Sequence, residues 1–339
     1  MENSIKVFFF LAVISYFFLA WFYNKNIKFP KAFSGNIHQL YAGNSSVFLL
    51  GGLCLFIFYA TFFDQNVSLL ASFFLIFAIG FCSDIGILKS PLIRFFFQLL
   101  SIALIIFTQN LQIINTDLRV LDYLLNFSYF NVFFTLFCIL ILINGTNFID
   151  GLNGLVIGYY ITIILILLNL DFNFTLIGVE ADQLKYLLYF LTILLILNFF
   201  NFLYLGDSGA YLISSIFGFI LIKIHNNEGI SSFFIILLLW YPCFENLFSI
   251  IRKIFISKIS PGNPDSSHLH QLLFSYIQKK TIFKKKIYAN NLSSISINLF
   301  NFLSIYIGSG DMFNNRYQIS IILFNILIYC FLYRNLRKN

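Results

Sequence analysis

Long apolar stretches, separated by short polar segments, run through the whole 339-residue chain. Eleven of them approach or reach the length of about 20 residues that a helix needs to cross a bilayer. Hydrophobic residues make up 59% of the chain and charged residues only 10%, a composition that excludes a soluble globular domain. We therefore expect an all-α polytopic membrane protein. The predicted spans are 5–23, 47–63, 67–82, 92–108, 131–147, 155–170, 184–203, 209–224, 230–251, 291–307 and 318–333.

The chain shows no internal repeat and no break that would define a second domain. We predict a single transmembrane domain, 1–339, with one long polar loop at about 253–290. The apolar run within Met1–Tyr23 is longer than a signal-peptide core and lacks a small-residue cleavage site, which favours a retained anchor helix. The five cysteines lie in or beside apolar runs without CxxC spacing, so packing roles are favoured over disulfides or metal ligands.

Basic residues fall mainly on alternate connections between the predicted spans. Sixteen of the 21 Lys and Arg residues lie on one side, which the positive-inside rule assigns to the cytoplasm. We thus expect the N-terminus outside, the C-terminus in the cytoplasm, and a multi-pass protein of the inner (plasma) membrane. A group of acids on the positive side is unexpected unless a cation holds it. The acids left on that side are Asp84, Asp150, Asp207, Glu245 and Asp265.

The segment 144–155, between two apolar runs, combines amides, a carboxylate and glycines. Asn144, Asn147 and Asp150 are spaced by three, which places them within an arc of about 120° on a helix. Such oxygen-bearing side chains could hold hydrated Mg²⁺, and the N-terminus of the next helix could face an anion. The alternative is that Asp150 or Asn153 only caps that next helix.

Two further polar junctions carry an aspartate on the same predicted side. Asp84 ends one span and is followed by Lys89 and Arg94, which could pair with phosphate; a simple interfacial Asp–Lys pair is the alternative. Asp207, within Gly206–Gly209, precedes another span, where it could be a metal ligand or an N-cap.

The long loop contains a Pro-Gly-Asn-Pro turn followed by Asp265, His268 and His270. The two histidines could donate to phosphate or transfer a proton. An isolated His-x-His pair is weak as a zinc site, because no cysteine accompanies it. An amphipathic run to Lys280 and a cluster of lysines follow, as is typical of a cytoplasmic loop near anionic lipid.

Together these motifs resemble the polyprenyl-phosphate N-acetylhexosamine-1-phosphate transferases, the WecA/MraY-type glycosyltransferase family 4, in its WecA-like branch. Asn144–Leu155 resembles the family's N-x-x-N-x-x-D-G-x-[DN]-G-L signature, and Gly206–Gly209 its G-D-[ST]-G. The segment with His38 resembles the family's early cytoplasmic loop, and 264–273 its histidine-rich loop. Pro242 to Arg252 resembles its P-x-x-D helix, with Glu245 where Asp is usual.

The resemblance implies transfer of N-acetylhexosamine-1-phosphate from a UDP-N-acetylhexosamine to undecaprenyl phosphate in the bilayer, with release of UMP. It implies Mg²⁺, for which Mn²⁺ can substitute, held by Asn147 and Asp207. It implies no nucleic-acid partner, and nothing in the sequence defines an oligomeric state. The implied catalytic residues are Asp84, Asp207, His268 and His270, and the implied substrate contacts are His38, Lys89, Arg94, Asn144, Asp150, Asn153 and Asp265.

The chain departs from the family pattern where Ser83-Asp84 replaces the usual Asp-Asp pair. That change leaves a non-catalytic relative as an alternative to an active transferase. A transporter or flippase of lipid-linked sugars is a second alternative. Transporters place ionisable residues and broken helices near the bilayer midplane, whereas here almost all ionisable residues fall at one interface, which favours an enzyme.

Overall fold

The computed structural model describes residues 49–63, 67–170, 172, 174, 178–258, 267–280 and 285–338. These residues form helices and no β-strand, which confirms the all-α membrane fold expected from the sequence. The helices are α1 Gly51–Phe62, α2 Val67–Asp84, α3 Pro91–Gln109, α4 Arg119–Leu125, α5 Ser128–Ile149, α6 Leu155–Leu168, α7 Ala181–Phe199, α8 Gly206–Glu228, α9 Ser232–Leu238, α10 Trp240–Ile251, α11 Leu269–Lys280, α12 Lys286–Ser309 and α13 Asn315–Lys338.

Within the described part of the chain, seven helices are long and apolar enough to span a membrane, or eight if α9 and α10 count as one bent span. The predicted anchor at 5–23 lies outside the described residues. Two predicted spans, 47–63 and 155–170, correspond to helices of only 12 and 14 residues, α1 and α6. At about 1.5 Å per residue these two helices are shorter than the hydrocarbon core. Helix α6 is instead buried along most of its length among other helices.

The predicted span 230–251 is broken, and its two parts meet at 79°. Pro242 explains the break, because it lacks an N–H and its ring clashes with the carbonyl of Leu238 in a continuous helix. The hydroxyl of Tyr159, in α6, donates a 2.8 Å hydrogen bond to that Leu238 carbonyl oxygen. A side chain therefore satisfies the backbone group that the proline releases, and α10 takes a new direction.

Helix α8 is the central element, since 18 of its 23 residues are buried among other helices. Its first turn lies against α1 and α2 at very short backbone distances. A Cβ atom added to Gly80, in α2, would lie 2.4 Å from the Cα atom of Ser208. This close approach brings the end of α2 and the start of α8 together, and with them two of the aspartate motifs.

Candidate active site

The Asp84 carboxylate sits directly over the N-terminus of α8. Its Oδ1 atom accepts a 2.8 Å hydrogen bond from the backbone N–H of Asp207. Its Oδ2 atom accepts from the N–H of Ser208 at 3.1 Å and from the Ser208 hydroxyl at 2.6 Å. The residue before α8 supplies no side-chain cap, so a carboxylate from another helix satisfies these first-turn donors.

The same contact explains the glycine at the start of α8. Gly206 has φ +75°, a conformation that favours glycine, and an added Cβ would lie 2.7 Å from Asp84 Oδ2. Asp84 can reach the amides of α8 only because position 206 carries no side chain. Asp207 itself is therefore not the helix cap, which was one of the two roles considered for it.

Asp207, Arg94 and Ser83 form a closed triangle of polar contacts. Arg94 Nη1 lies 2.7 Å from Asp207 Oδ2 and donates at 2.7 Å to the Ser83 hydroxyl oxygen. The Ser83 hydroxyl in turn donates to Asp207 Oδ2 at 2.6 Å. The Arg94 and Asp207 side chains are 22% and 25% exposed, so both remain open to solvent on one side. A cation and a carboxylate are thus held at an accessible junction of α2, α3 and α8.

Helix α5 brings the central motif to this junction. Asn144, in its last turns, donates at 3.3 Å to the side-chain oxygen of the buried Gln98 on α3. Asn147 donates a long, 3.4 Å hydrogen bond to the hydroxyl of Tyr211, one turn after Asp207 on α8. The predicted helical face 144–147 therefore contacts both α3, through Asn144, and the Asp207 helix α8, through Asn147.

Asp150 follows the end of α5 and is partly buried. No described residue forms a hydrogen bond or ion pair with its carboxylate, and it does not cap α6, whose N-cap is Gly154 without a side-chain cap. Desolvation, and then the negative charges of Asp207 and Asp84, raise its pKa well above the ordinary value. We call Asp84, Arg94, Asp150 and Asp207 the carboxylate junction, because the charges of the three carboxylates influence one another and Arg94 pairs with Asp207.

Asn153 is buried and hydrogen-bonded to other parts of the protein, so its side chain does not face a substrate. It is 5% exposed, its side chain donates at 2.6 Å to Asn201, and its backbone N–H donates at 2.8 Å to Asn290. The neighbouring N–H of Gly154 donates to Asn198. These contacts tie the 152–154 turn to α7 and α12, so we assign Asn153 to the framework that shapes the junction.

The two loop histidines lie beside the 144–155 segment. The rings of His268 and His270 are 5.6 Å apart, and the His268 ring lies 5.4 Å from that of Phe148. A Cβ atom added to Gly151 would lie 2.5 Å from His270 Nε2. Both histidines are almost fully buried, at 4% and 0% exposure, and Glu245 Oε1 lies 2.9 Å from His268 Nδ1. His268 and His270, which we call the His loop, therefore lie beside the segment that carries Asp150.

Of the other predicted substrate contacts, only Lys89 lies among the described residues, and it does not enter this geometry. Lys89 is exposed in the turn after α2, and it forms no ion pair with Asp84 or any other described residue. His38 and Asp265 lie outside the described residues. The interfacial Asp–Lys pair considered as an alternative is not formed, because α8 takes up the Asp84 carboxylate.

Two contributors were not named from the sequence. Tyr211 follows Asp207 by four residues, so helical spacing alone placed it on the same face as Asp207. Tyr329 donates a 2.8 Å hydrogen bond to Glu245 Oε2 from a helix near the end of the chain. No local pattern connects Tyr329 with the other motifs, and only the packing of α13 against α10 reveals it.

The donor atoms fit a hard divalent cation. No group of three His, Cys, Asp or Glu residues that could hold a metal occurs among the described residues. Mg²⁺ needs no such cage, since it uses one or two protein carboxylates with water and substrate phosphates. Asp150 supplies a carboxylate that no described residue pairs with, and Asp207 and the Asn147 amide supply further oxygens nearby. Asp84 is less suited, because backbone and hydroxyl donors engage both of its oxygens.

A comparison of the sequence with models of known protein families finds a match that covers this site. The sequence model of glycosyl transferase family 4 matches residues 66–225, a segment that contains Asp84, Arg94, Asp150 and Asp207. No curated protein matches the chain at a significant level. The matched segment contains every member of the carboxylate junction, and seven of the described helices have the length and composition of membrane spans. This part of the chain is therefore similar to glycosyl transferase family 4, which supports a polyprenyl-phosphate sugar-phosphate transferase function in general.

Proposed function

We propose that this protein transfers N-acetylhexosamine-1-phosphate from a UDP-N-acetylhexosamine to undecaprenyl phosphate. The observation that carries the proposal is the carboxylate junction, where Arg94 and three aspartates meet at one end of the bundle beside His268 and His270. Anionic phosphates and a divalent cation together match this mixture of positive and negative groups. Phosphoryl transfer requires mainly positioning and charge neutralisation from a protein.

The reaction balances without any further reagent. A phosphate oxygen of the lipid carrier forms a bond to the β-phosphorus of the UDP-sugar. The bond between that phosphorus and the oxygen bridging to the α-phosphate breaks, and UMP leaves with that oxygen. A monoester phosphate has its second pKa near 6, so the carrier is mostly dianionic at neutral pH and needs little deprotonation.

Each side chain at the junction has a role that follows from its contacts. Arg94 is the cation that can bind a phosphate oxygen while it remains paired with Asp207. Asp207, Asn147 and Asp150 would hold Mg²⁺ or Mn²⁺, which supplies charge neutralisation on the diphosphate when bound. Asp84 keeps Asp207 in place by capping α8. His268 and His270 act on phosphate from the loop side.

The lipid-linked sugar that this reaction would form indicates the biosynthetic pathway to which it belongs. A polyprenyl-diphospho-sugar is the starting lipid of a surface polysaccharide, and O-antigen or another cell-wall polymer is the proposed outlet. The carrier lipid enters from the bilayer, which agrees with the membrane-spanning helices. We propose the inner (plasma) membrane as the location, with the carboxylate junction facing the cytoplasm, where UDP-sugars are made.

The decisive experiment is UMP release from UDP-N-acetylhexosamines by the purified protein in undecaprenyl-phosphate vesicles with Mg²⁺. We expect turnover that stops with excess chelator and returns with Mg²⁺ or Mn²⁺. Asp182→Asn is the matched control, since Asp182 is 65% exposed and pairs with Lys185 three residues away, far from the junction in the sequence. UDP-sugar binding without UMP release would identify a non-catalytic relative, and transport without chemistry would identify a flippase.

The histidines provide a second arm of the same test. His268→Gln and His270→Gln are each expected to lower turnover, because each removes a ring that lies beside the Asp150 segment. Metal analysis should show no stoichiometric zinc in the purified protein. One tightly bound zinc per chain would contradict the phosphate role of the histidines.

A further inference from the structure

The buried carboxylate of Glu245 links the His loop to the last helix of the chain. Glu245 lies within α10 and is 1% exposed. An unpaired ionised acid at such a position is costly, so its partners decide whether it can remain charged. Oε1 faces His268 Nδ1 at 2.9 Å and the backbone N–H of Leu269 at 3.4 Å, and Oε2 accepts from the Tyr329 hydroxyl at 2.8 Å.

These contacts fix the chemical state of the His268 ring. A carboxylate only accepts hydrogen bonds, so Nδ1 of His268 must carry the proton in this contact. The ring nitrogen left to face a substrate is therefore Nε2, as is usual when a carboxylate holds the other nitrogen. Glu245 thus orients the imidazole and determines which nitrogen can serve the substrate.

Tyr329 has no other evident reason to be a tyrosine. Its ring is 1% exposed and packs edge-on against Phe244 and Phe248, at 4.9 and 5.2 Å between ring centroids. A phenylalanine would satisfy this aromatic packing equally well. The hydroxyl adds one interaction, the hydrogen bond that occupies Glu245 Oε2 and directs Oε1 toward His268.

We propose that Tyr329 is a positioning residue for sugar-phosphate transfer, and that it acts through Glu245 to hold His268 in its reactive tautomer and orientation. This inference rests on the proposed function of the His loop. It assigns a role in the active site to α13, which begins 90 residues beyond the end of the family match at 66–225. Removal of the hydroxyl leaves a buried carboxylate oxygen without its donor, so Glu245 is expected to release His268.

Tyr241→Phe is the matched control for Tyr329→Phe. Tyr241 is also 1% exposed and lies on α10 with Glu245, but its hydroxyl has no hydrogen-bond partner among the described residues. We expect Tyr329→Phe to lower kcat for UMP release about tenfold with little change in the KM for UDP-sugar, whereas Tyr241→Phe stays near wild type. Glu245→Gln, which keeps the side-chain size, is expected to reduce kcat further.

A double-mutant cycle separates positioning from general stability. In a His268→Gln background, Tyr329→Phe should have no additional effect on kcat, because the residue through which it acts is already absent. An equal loss in both backgrounds would overturn the proposal. So would equal behaviour of Tyr329→Phe and Tyr241→Phe in the wild-type background.

A readout independent of activity distinguishes failure of this inference from failure of the proposed function. The chain has four histidines, so ¹⁵N-histidine NMR of the protein in bilayers can resolve the His268 ring, assigned with His268→Gln. We expect Tyr329→Phe to shift its ring nitrogens and Tyr241→Phe to leave them unchanged. Absence of UMP release by the wild type would contradict the proposed transferase function. Unchanged chemical shifts of the His268 ring nitrogens in Tyr329→Phe would separately overturn the positioning role of Tyr329.

Discussion

The two ends of α8 carry polar clusters of opposite character. At the Gly206 end, three carboxylates lie near one another, Arg94 pairs with Asp207, and Asp150 has no partner among the described residues. At the Glu228 end, the ring nitrogens of His225 lie 2.7 and 2.8 Å from backbone carbonyl oxygens. There the Asp117 carboxylate accepts from both the N–H and the hydroxyl of Ser232. At the Glu228 end His225 and Asp117 have protein partners, whereas at the Gly206 end the Asp150 carboxylate has none among the described residues.

The pKa values of Asp117 and Asp150 shift in opposite directions, in line with this difference between the two ends. At Asp117 desolvation opposes ionisation, but the hydrogen bonds from Ser232 and Asn315 and the interaction with His225 together lower the pKa below its ordinary value. At Asp150 desolvation and neighbouring negative charges both raise the pKa. A protein that only needed to fold would gain by pairing Asp150 as it pairs Asp117. Unsatisfied charge at one end of a well-satisfied helix is characteristic of a binding site.

The largest expected effect is at Asp207. Asp207→Ala should reduce UMP release by at least about 1,000-fold, since it removes a carboxylate that faces both Arg94 and the proposed cation. Thermal stability should change little, because Asp207 does not cap α8 and its side chain is partly exposed. Turnover and melting temperature of the purified variant check this pair of results. A wild-type rate would remove Asp207 from the site.

Asp84→Asn is expected to have the next largest effect on turnover. Unlike Asp207→Ala, it should also lower the stability of the protein. The amide cannot accept hydrogen bonds with both of its terminal atoms, so at least one first-turn donor of α8 loses its partner. We expect turnover to fall about 100-fold, UDP-sugar binding to persist, and stability to fall by about 1–3 kcal/mol. Loss of activity without loss of stability would show that Asp84 contacts substrate directly instead of capping α8.

Ser83→Ala should cost only a few-fold in turnover. The Arg94–Asp207 contact at 2.7 Å remains when the bridging hydroxyl is removed. Ser83→Asp is expected to slow the enzyme, because a carboxylate at the hydroxyl position would repel Asp207 and compete for Arg94. Measured kcat values for both variants check this. Activity that appeared only after Ser83→Asp would instead identify the natural chain as a degenerate relative.

At the opposite end, Asp117→Asn should leave turnover unchanged and lower stability by about 0.5–1 kcal/mol, a small value because the group is partly exposed. Because the folded pKa of Asp117 is lowered, its contribution is present above the unfolded value of about 3.9 and is lost as pH falls through the folded value. Melting temperatures of wild type and variant should therefore converge at acidic pH. Lower turnover at neutral pH would contradict the division between the two ends.

Periodicity and charge in the sequence were enough to predict the membrane fold, and local motifs were enough to select Asp84, Arg94, Asp150 and Asp207. Long apolar runs must form helices in a bilayer, because no water there can satisfy free backbone groups. The sequence prediction was less accurate for 47–63 and 155–170, whose helices are shorter than a span. Hydropathy reports that a segment is apolar, but it does not distinguish burial in protein from burial in lipid.

Tertiary structure decided which polar group serves which partner. Asp84 and Asp207 looked alike in the sequence, since each lies at a helix end, yet one caps the helix that bears the other. Asn153 was predicted from the sequence to contact substrate. In the structure its backbone N–H and its side chain instead hydrogen-bond to Asn290 and Asn201, so it stabilises the turn before α6. Tyr329 carried no local signal at all. The sequence by itself determined where charge could collect, whereas the packing of distant helices, which bring donors and acceptors within hydrogen-bond distance, determined what each charge does.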